Sequence, residues 1–249
     1  MSASAPTARL DRLLANMGYG SRRDIGLMTK AGWITLDGEA LRDEAAHVRL
    51  AADLPNRLLI RGKKLDPLPG MVIMVHKPLG VTCSRKEAGT LIYDLLPDRW
   101  RARDPAVSTV GRLDKETSGL ILMTDDGDLL HKIISPKHHV PKRYLVTLDR
   151  PLTGSEAATF AAGGLILAGE TKPLRPAELE VTGERSAILT LHEGRYHQVR
   201  RMFAALGNHV TALHRDQIGA LTLPQDLNAG SLRMMTAGDV AKVFAVPAK

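Results

Sequence analysis

The sequence predicts an α+β fold in two domains. Three features carry this. Two helical stripes followed by a tight-turn hairpin fill the first 60 or so residues. A Pro-, Gly- and Lys-rich stretch, Gly62–Gly70, then interrupts the pattern, and the remainder is mostly short apolar strand-like runs with two clear helices. Residues 1–8 are Ser/Ala-rich and read as a disordered N-terminus. Residues 9–66 form the first domain, 67–70 the linker and 71–249 the second domain.

Leu10, Leu13, Leu14 and Met17 recur at the spacing of one helical face, and Gly18 and Gly20 stop that helix. Ser21 starts the next helix, with Asp24 three residues on as a capping-box acid. Ile25 and Met28 continue its apolar side, and Gly32 ends it. Trp33–Leu36 reads as a strand, Asp37–Gly38 as a tight turn and Arg57–Arg61 as a closing strand. In the second domain, strands are expected at Met71–Val75, Leu120–Thr124, Tyr144–Leu148, Ala177–Val181, Ala187–Leu191 and Val210–Leu213. Helices are expected at Asp126–Ile134 and Tyr196–Leu206. Val199, Met202, Phe203 and Leu206 form the apolar face of the latter, leaving His197, Arg200 and Arg201 on its other side.

Composition narrows the function. A net charge of +7 over 249 residues fits a polyanionic partner, nucleic acid before membrane surface. The single cysteine, Cys83, excludes an intramolecular disulfide, fits a reducing compartment and is read as packing filler. No apolar run is long enough for a membrane span and the N-terminus lacks a signal-peptide pattern, so the expected location is cytoplasmic. His138, His139, His192, His197, His209 and His214 lack ligand spacing, so no metal is assigned. Neither a phosphate loop nor a dinucleotide glycine motif is present.

Three blocks carry chemistry. Gly111-Arg112-Leu113-Asp114, running on through Lys115-Glu116-Thr117-Ser118-Gly119 into an apolar run, places one carboxylate in a glycine-bounded loop before a buried strand. Lys142-Arg143-Tyr144-Leu145-Val146-Thr147-Leu148 alternates, so Tyr144 shares a face with Val146 and Leu148 and offers a flat ring and a hydroxyl. Glu193-Gly194-Arg195-Tyr196-His197-Gln198-Val199-Arg200-Arg201 supplies a cationic rim.

Together, in this order, the blocks resemble the signature of RNA pseudouridine synthases, in particular the two-domain branch that modifies ribosomal RNA. The first domain is similar to the small RNA-binding domain named from ribosomal protein S4. Its hallmarks here are Arg9-Leu10-Asp11, Ser21-Arg22-Arg23 and Gly32-Trp33-Ile34-Thr35-Leu36-Asp37-Gly38. The resemblance implies a mainly antiparallel catalytic sheet and cofactor-free isomerisation of uridine to pseudouridine. It implies Asp114 as the catalytic residue, Tyr144 stacked on the target base, and Arg112 holding the RNA backbone around the flipped nucleotide. It also implies Arg200 in a salt bridge with Asp114. Arg9, Arg22, Arg23, Arg195 and Arg201 are expected to contact RNA, Arg22 and Arg23 because cations at a helix start are better explained by a nearby phosphate.

The strings Ile134-Ser135-Pro136-Lys137-His138-His139 and Gly194–Val199 through Gly207-Asn208-His209-Val210 resemble the enzymes acting on small-subunit (16S) RNA. The expected partner is ribosomal RNA or an assembling subunit, bound by a monomer without a membrane. The same reaction on large-subunit (23S) RNA, a non-catalytic assembly factor, and a hydrolase pairing Asp114 with Glu116 remain alternatives.

Overall fold

The computed structural model describes residues 5–135 and 140–247. His138 and His139, with the rest of 136–139, lie outside the described residues. The chain divides into two compact units. The first comprises Met1–Met71 with Leu96–Ser108 and Thr124–Asp126; the second comprises Val72–Leu95, Thr109–Met123 and Gly127–Lys249.

In the first unit, β1 (Thr7–Arg9) pairs antiparallel with β4 (His47–Arg49). The terminus expected to be disordered through residue 8 is therefore ordered from Thr7. Helix α1 (Leu10–Asn16) buries Leu10, Leu13 and Leu14 against α2 (Arg22–Lys30), and Met17, just beyond α1, is buried too. Ser21 and Asp24 exchange hydrogen bonds across the start of α2, a complete capping box. Strand β2 (Ile34–Leu36) turns at Asp37–Gly38, both at positive φ, into β3 (Glu39–Ala40). A short helix α3 (Leu54–Arg57) leads to β5 (Leu58–Ile60), which pairs with β2 and with β6 (Lys63–Lys64).

The stretch assigned as a linker is fastened inside this unit. Gly70 N donates to Asp125, Arg103 reaches the Pro67 carbonyl, and Arg103 and Asp125 form a buried ion pair at 2.6 Å. Helix α4 (Asp98–Arg101) belongs to the same unit, with Arg99 on Asp66 and over the Tyr19 ring. The first unit is thus larger than 9–66: its later segments return to pack on α1, which no local pattern in the sequence announces.

The second unit is built on one mixed sheet. Its strand order is β11 (Glu178–Gly183), β12 (Ser186–Leu191), β10 (Lys142–Leu148), β13 (Val210–Ile218), β9 (Ser118–Thr124), β7 (Val72–Lys77), β15 (Leu232–Met234). Short strands β8 (Ser108–Thr109) and β14 (Leu221–Thr222) pair with β9 and β13. The β10–β12, β10–β13, β11–β12, β7–β15 and β13–β14 ladders are antiparallel; β9–β13 is parallel. Helix α7 (Gln198–Ala205) buries Val199, Met202 and Phe203, in a core with Val146, Leu148 and Leu189. Phe203 meets Phe160 of α6 (Glu156–Ala162) edge to face. Helices α5 (Gly127–Ile134) and α8 (Ala237–Phe244) contribute Ile133 and Val243 to a second core around Leu120 and Leu122. No helix among the described residues is long and apolar enough to cross a membrane.

Candidate active site

The loop from Gly111 to Thr117, which leads into β9, is held almost entirely through its carbonyls. Asp114 O accepts from Thr117 N at 3.0 Å, closing a turn, and Lys115 O accepts from Gly80 N at 3.0 Å. The fully buried Lys77 ammonium donates to Thr117 O at 2.8 Å and Pro78 O at 2.9 Å, with Lys115 O at 3.4 Å. Arg200 Nη2 donates to Glu116 O at 2.7 Å and Nη1 to Val210 O at 2.8 Å. Burial lowers the Lys77 pKa, opposed by the charges of Cys83, Asp114 and Glu116. At the foot of the loop, Gly119 sits at φ +111° beside the Arg215 backbone, where a Cβ would collide with main-chain atoms. That glycine lets β9 and β13 pair closely, with Gly119 opposite Arg215.

The Asp114 side chain, 31% exposed, opens into a cavity of about 720 Å³. A pocket of roughly 300–1,000 Å³ is the usual size for a small-molecule site, ample for one extruded nucleoside. Tyr144 lines it from β10, at a register shift in the β10–β13 ladder. Its neighbours Val146 and Leu148 are buried in the core, as the alternation requires. Arg112, exposed on the same loop as Asp114, makes no side-chain hydrogen bond or ion pair among the described residues and lines the cavity too.

Arg112, Asp114, Tyr144 and Arg200 therefore converge on one cavity. The expected Arg200–Asp114 salt bridge is not made: the guanidinium is committed to two carbonyls, so it fixes the backbone of the loop rather than the carboxylate. The basic side chain against Asp114 is His197, whose Nε2 lies 3.4 Å from Oδ1. His197 caps α7 in the left-handed conformation, φ 49° and ψ 34°, and its ring stacks on Tyr196 at 3.9 Å.

Arg195 and Arg201, expected to meet RNA, each pair with Glu170 at 2.5 Å and keep part of their side chains exposed. They also cap carbonyls of Lys172, Pro173, Ala168 and Tyr196, clamping the loop before β11. In the first unit, Arg9 and Arg22 both grip the buried Asp11, at 2.9 and 2.7 Å. The Arg9 hydrogen bonds first, then those of Arg22 and the Arg12 amide, hold Asp11 down to about 2 against its burial. Asp11, rather than a phosphate, accounts for a cation at the start of α2, although both arginines keep exposed edges. Arg23 remains exposed.

Sequence reasoning missed three cavity-related cations. Lys77 lies two residues beyond the expected end of the first strand of the second domain, Met71–Val75, and acts through the carbonyls of the Asp114 loop. Lys142 lines the cavity next to Tyr144 and donates to Val140 O at 2.9 Å; burial, then Arg215, lowers its pKa to about 8. Arg215 lies beyond the point where β13 was expected to end. Cys83, expected as packing filler, is buried and lines the same cavity, and burial raises its pKa.

Residues 71–205, more than half of the chain, match the protein family described as RNA pseudouridylate synthase. The ribosomal small subunit pseudouridine synthase A of Escherichia coli K12 is 41% identical over 239 residues, covering 94% of this chain and 99% of the relative. The protein of the same name from Vibrio cholerae is 37% identical over 95% of this chain and 99% of the relative. A crystal structure of a pseudouridylate synthase superposes with a TM-score of 0.66 and 36% identity, covering 94% of this chain and 99% of that one. A carboxylate held in a fixed loop over a nucleoside-sized cavity, on a mainly antiparallel sheet, thus comes with end-to-end likeness to enzymes of one kind, and the chain belongs to the RNA pseudouridylate synthase family.

Proposed function

We propose that this enzyme isomerises a uridine of small-subunit ribosomal RNA, with Asp114 as the catalytic residue. The observation that carries the reading is the placement of Asp114: a carboxylate facing a 720 Å³ cavity, on a loop whose carbonyls are tied by Lys77, Gly80 and Arg200. Isomerisation needs no atom from outside, only a fixed group that can engage the ribose or the base while the glycosidic bond is exchanged. The choice of small-subunit RNA rests on relatives of that name matching the chain over both compact units.

The target base must leave its stack to reach Asp114. Tyr144 supplies the ring on which it stacks, and Arg112, with its cationic end unpaired, supports the displaced backbone. Arg200 contributes by holding the Glu116 carbonyl, keeping Asp114 aimed. The first unit, resembling the S4-type RNA-binding domain, docks the enzyme through the exposed edges of Arg9, Arg22 and Arg23. The protein acts as a cytoplasmic monomer.

Mapping pseudouridines in both ribosomal RNAs of a strain lacking the gene, complemented with wild type or Asp114→Asn, tests this reading. One small-subunit site lost and restored by wild type alone is expected. A lost site in large-subunit RNA would move the substrate, and rescue by Asp114→Asn would remove Asp114 from the chemistry.

A further inference from the structure

Arg215 is 3% exposed, yet among the described residues no carboxylate pairs with it. Its Nε donates to Leu120 O at 2.8 Å, and Nη1 reaches the Tyr144 hydroxyl only at 3.4 Å. Nη2 is buried with no hydrogen-bond partner at all. A second buried polar atom, Thr117 Oγ1, is equally unpartnered, and both residues line the cavity into which Asp114 opens. Lys142 lines it as well, and the charge of Arg215 helps lower its pKa, so positive charge is concentrated there.

A buried guanidinium without a counter-ion is costly, and a donor left unmade adds to that cost. Such a group is compensated when a ligand brings the negative charge. The RNA carries its charge on the phosphodiesters, whereas Arg215 is buried in the wall of the cavity that takes the base; the base is neutral when it binds, so negative charge on it arises during the reaction. When the bond between C1′ and N1 breaks, its electron pair stays on the base. The base becomes a uracil anion with charge spread over N1, O2 and O4, while Asp114 takes up the ribose carbon or its 2′ proton. After the base turns, C5 gives an electron pair to C1′ as the Asp114 carboxylate leaves that carbon, or as Asp114 returns the proton to C2′; the proton on C5 then departs and N1 gains one. Charge and atoms are then as they began.

We propose that Arg215 stabilises the uracil anion, offering its Nη hydrogens to a carbonyl oxygen of the base beside the Tyr144 ring. Donors placed where charge develops act most strongly in a site that excludes water. The planar fork of an arginine suits a flat base edge better than a lysine would. The inference rests on the reading of Asp114 above.

The test is single-turnover conversion of an RNA carrying the target uridine, beside the same RNA carrying 5-fluorouridine. Fluorine withdraws electrons, so its base departs as a better-stabilised anion and depends less on the enzyme for that stabilisation. Arg215→Gln is expected to slow uridine turnover by about 100-fold. Its deficit on loss of N-linked fluorouridine is expected to be about tenfold smaller, with RNA affinity unchanged. Equal deficits on the two substrates, or uridine turnover within about threefold of wild type, would overturn the proposal. Should Arg215→Gln fail to fold by circular dichroism, Arg215→Lys carries the same comparison, with a smaller deficit in the same direction expected and equal deficits overturning it. Asp114→Asn as fast as wild type would remove the Asp114 reading alone, because the Arg215 comparison is made against wild-type rates. A wild-type protein inactive on both substrates overturns both.

Discussion

At the scale of single residues, the aim of Asp114 depends on groups that never touch its carboxylate. Lys77, Gly80 and Arg200 bind the carbonyls around it, so the backbone that carries Asp114 is fixed while its carboxylate, beside His197, faces the cavity. Truncating Arg200→Ala should therefore lower kcat by about 10- to 100-fold while KM changes little, since a misplaced catalytic group costs rate more than binding. Arg200→Lys should restore only part of this, because one ammonium cannot span Val210 O and Glu116 O as the fork does. Steady-state kinetics on both variants checks the split.

Asp11 gives a pH prediction. Its folded pKa, about 2, lies below the usual 3.8, so its contribution is present above pH 4 and is lost as pH falls from about 4 to 2. Asp11→Asn should cost the first unit about 2 kcal/mol at neutral pH and flatten the acid limb of its unfolding, measured by urea titration at several pH values. Asp114 and Tyr144 were legible because each stands inside a recognisable local string. Arg215 and Lys77 were not, because a lone cation in a strand carries no local sign of what it will meet across the sheet.

Among the elements, β13 shows why. Its pattern was read as ending at Leu213, where the polar run His214-Arg215-Asp216-Gln217 begins, but the strand continues to Ile218. The run still alternates, with Arg215 and Gln217 buried and His214 and Asp216 half-buried, so the period survives although the hydrophobicity does not. Polar residues inside a strand are a site signal that a purely apolar template discards. Helix α6 was missed because Ala-rich Glu156–Ala162 has one large buried apolar side chain, Phe160. Helix α8 was missed although Thr236 and Asp239 form a capping box, because only Val243 is buried beneath it. The β9–β13 pairing hangs on Gly119. Gly119→Ala adds a Cβ against the Arg215 main chain at an unfavourable φ, and should destabilise the second unit by about 3 kcal/mol or abolish soluble expression. Thermal unfolding of the variant beside wild type measures this.

For the whole molecule, the division into two units follows the sequence reading in outline and departs from it in connectivity. Chain order suggested a cut near residue 66, but Leu96–Ser108 and Thr124–Asp126 belong with the first unit. Asp104 N donates to Asn16 O, Gly18 lies against Arg99, and Arg99 bridges Tyr19 and Asp66. Long-range returns of this kind leave no mark in composition or periodicity. A chain beginning at Met71 should therefore be aggregation-prone, because it loses α1, Asp66 and the Pro67 and Gly70 partners of the buried Arg103–Asp125 pair. Size-exclusion chromatography of the truncated and full-length proteins checks this. The net charge of +7 predicts RNA affinity that falls steeply between about 50 and 200 mM salt, as counterion release requires.

The most direct measurement incubates purified wild type and Asp114→Asn with unmodified small-subunit ribosomal RNA, free or in an assembling particle, and maps the products. Pseudouridine at one position with wild type, and none with Asp114→Asn, is the predicted result. Equal product from the variant, or release of free uracil in place of the isomer, would contradict it.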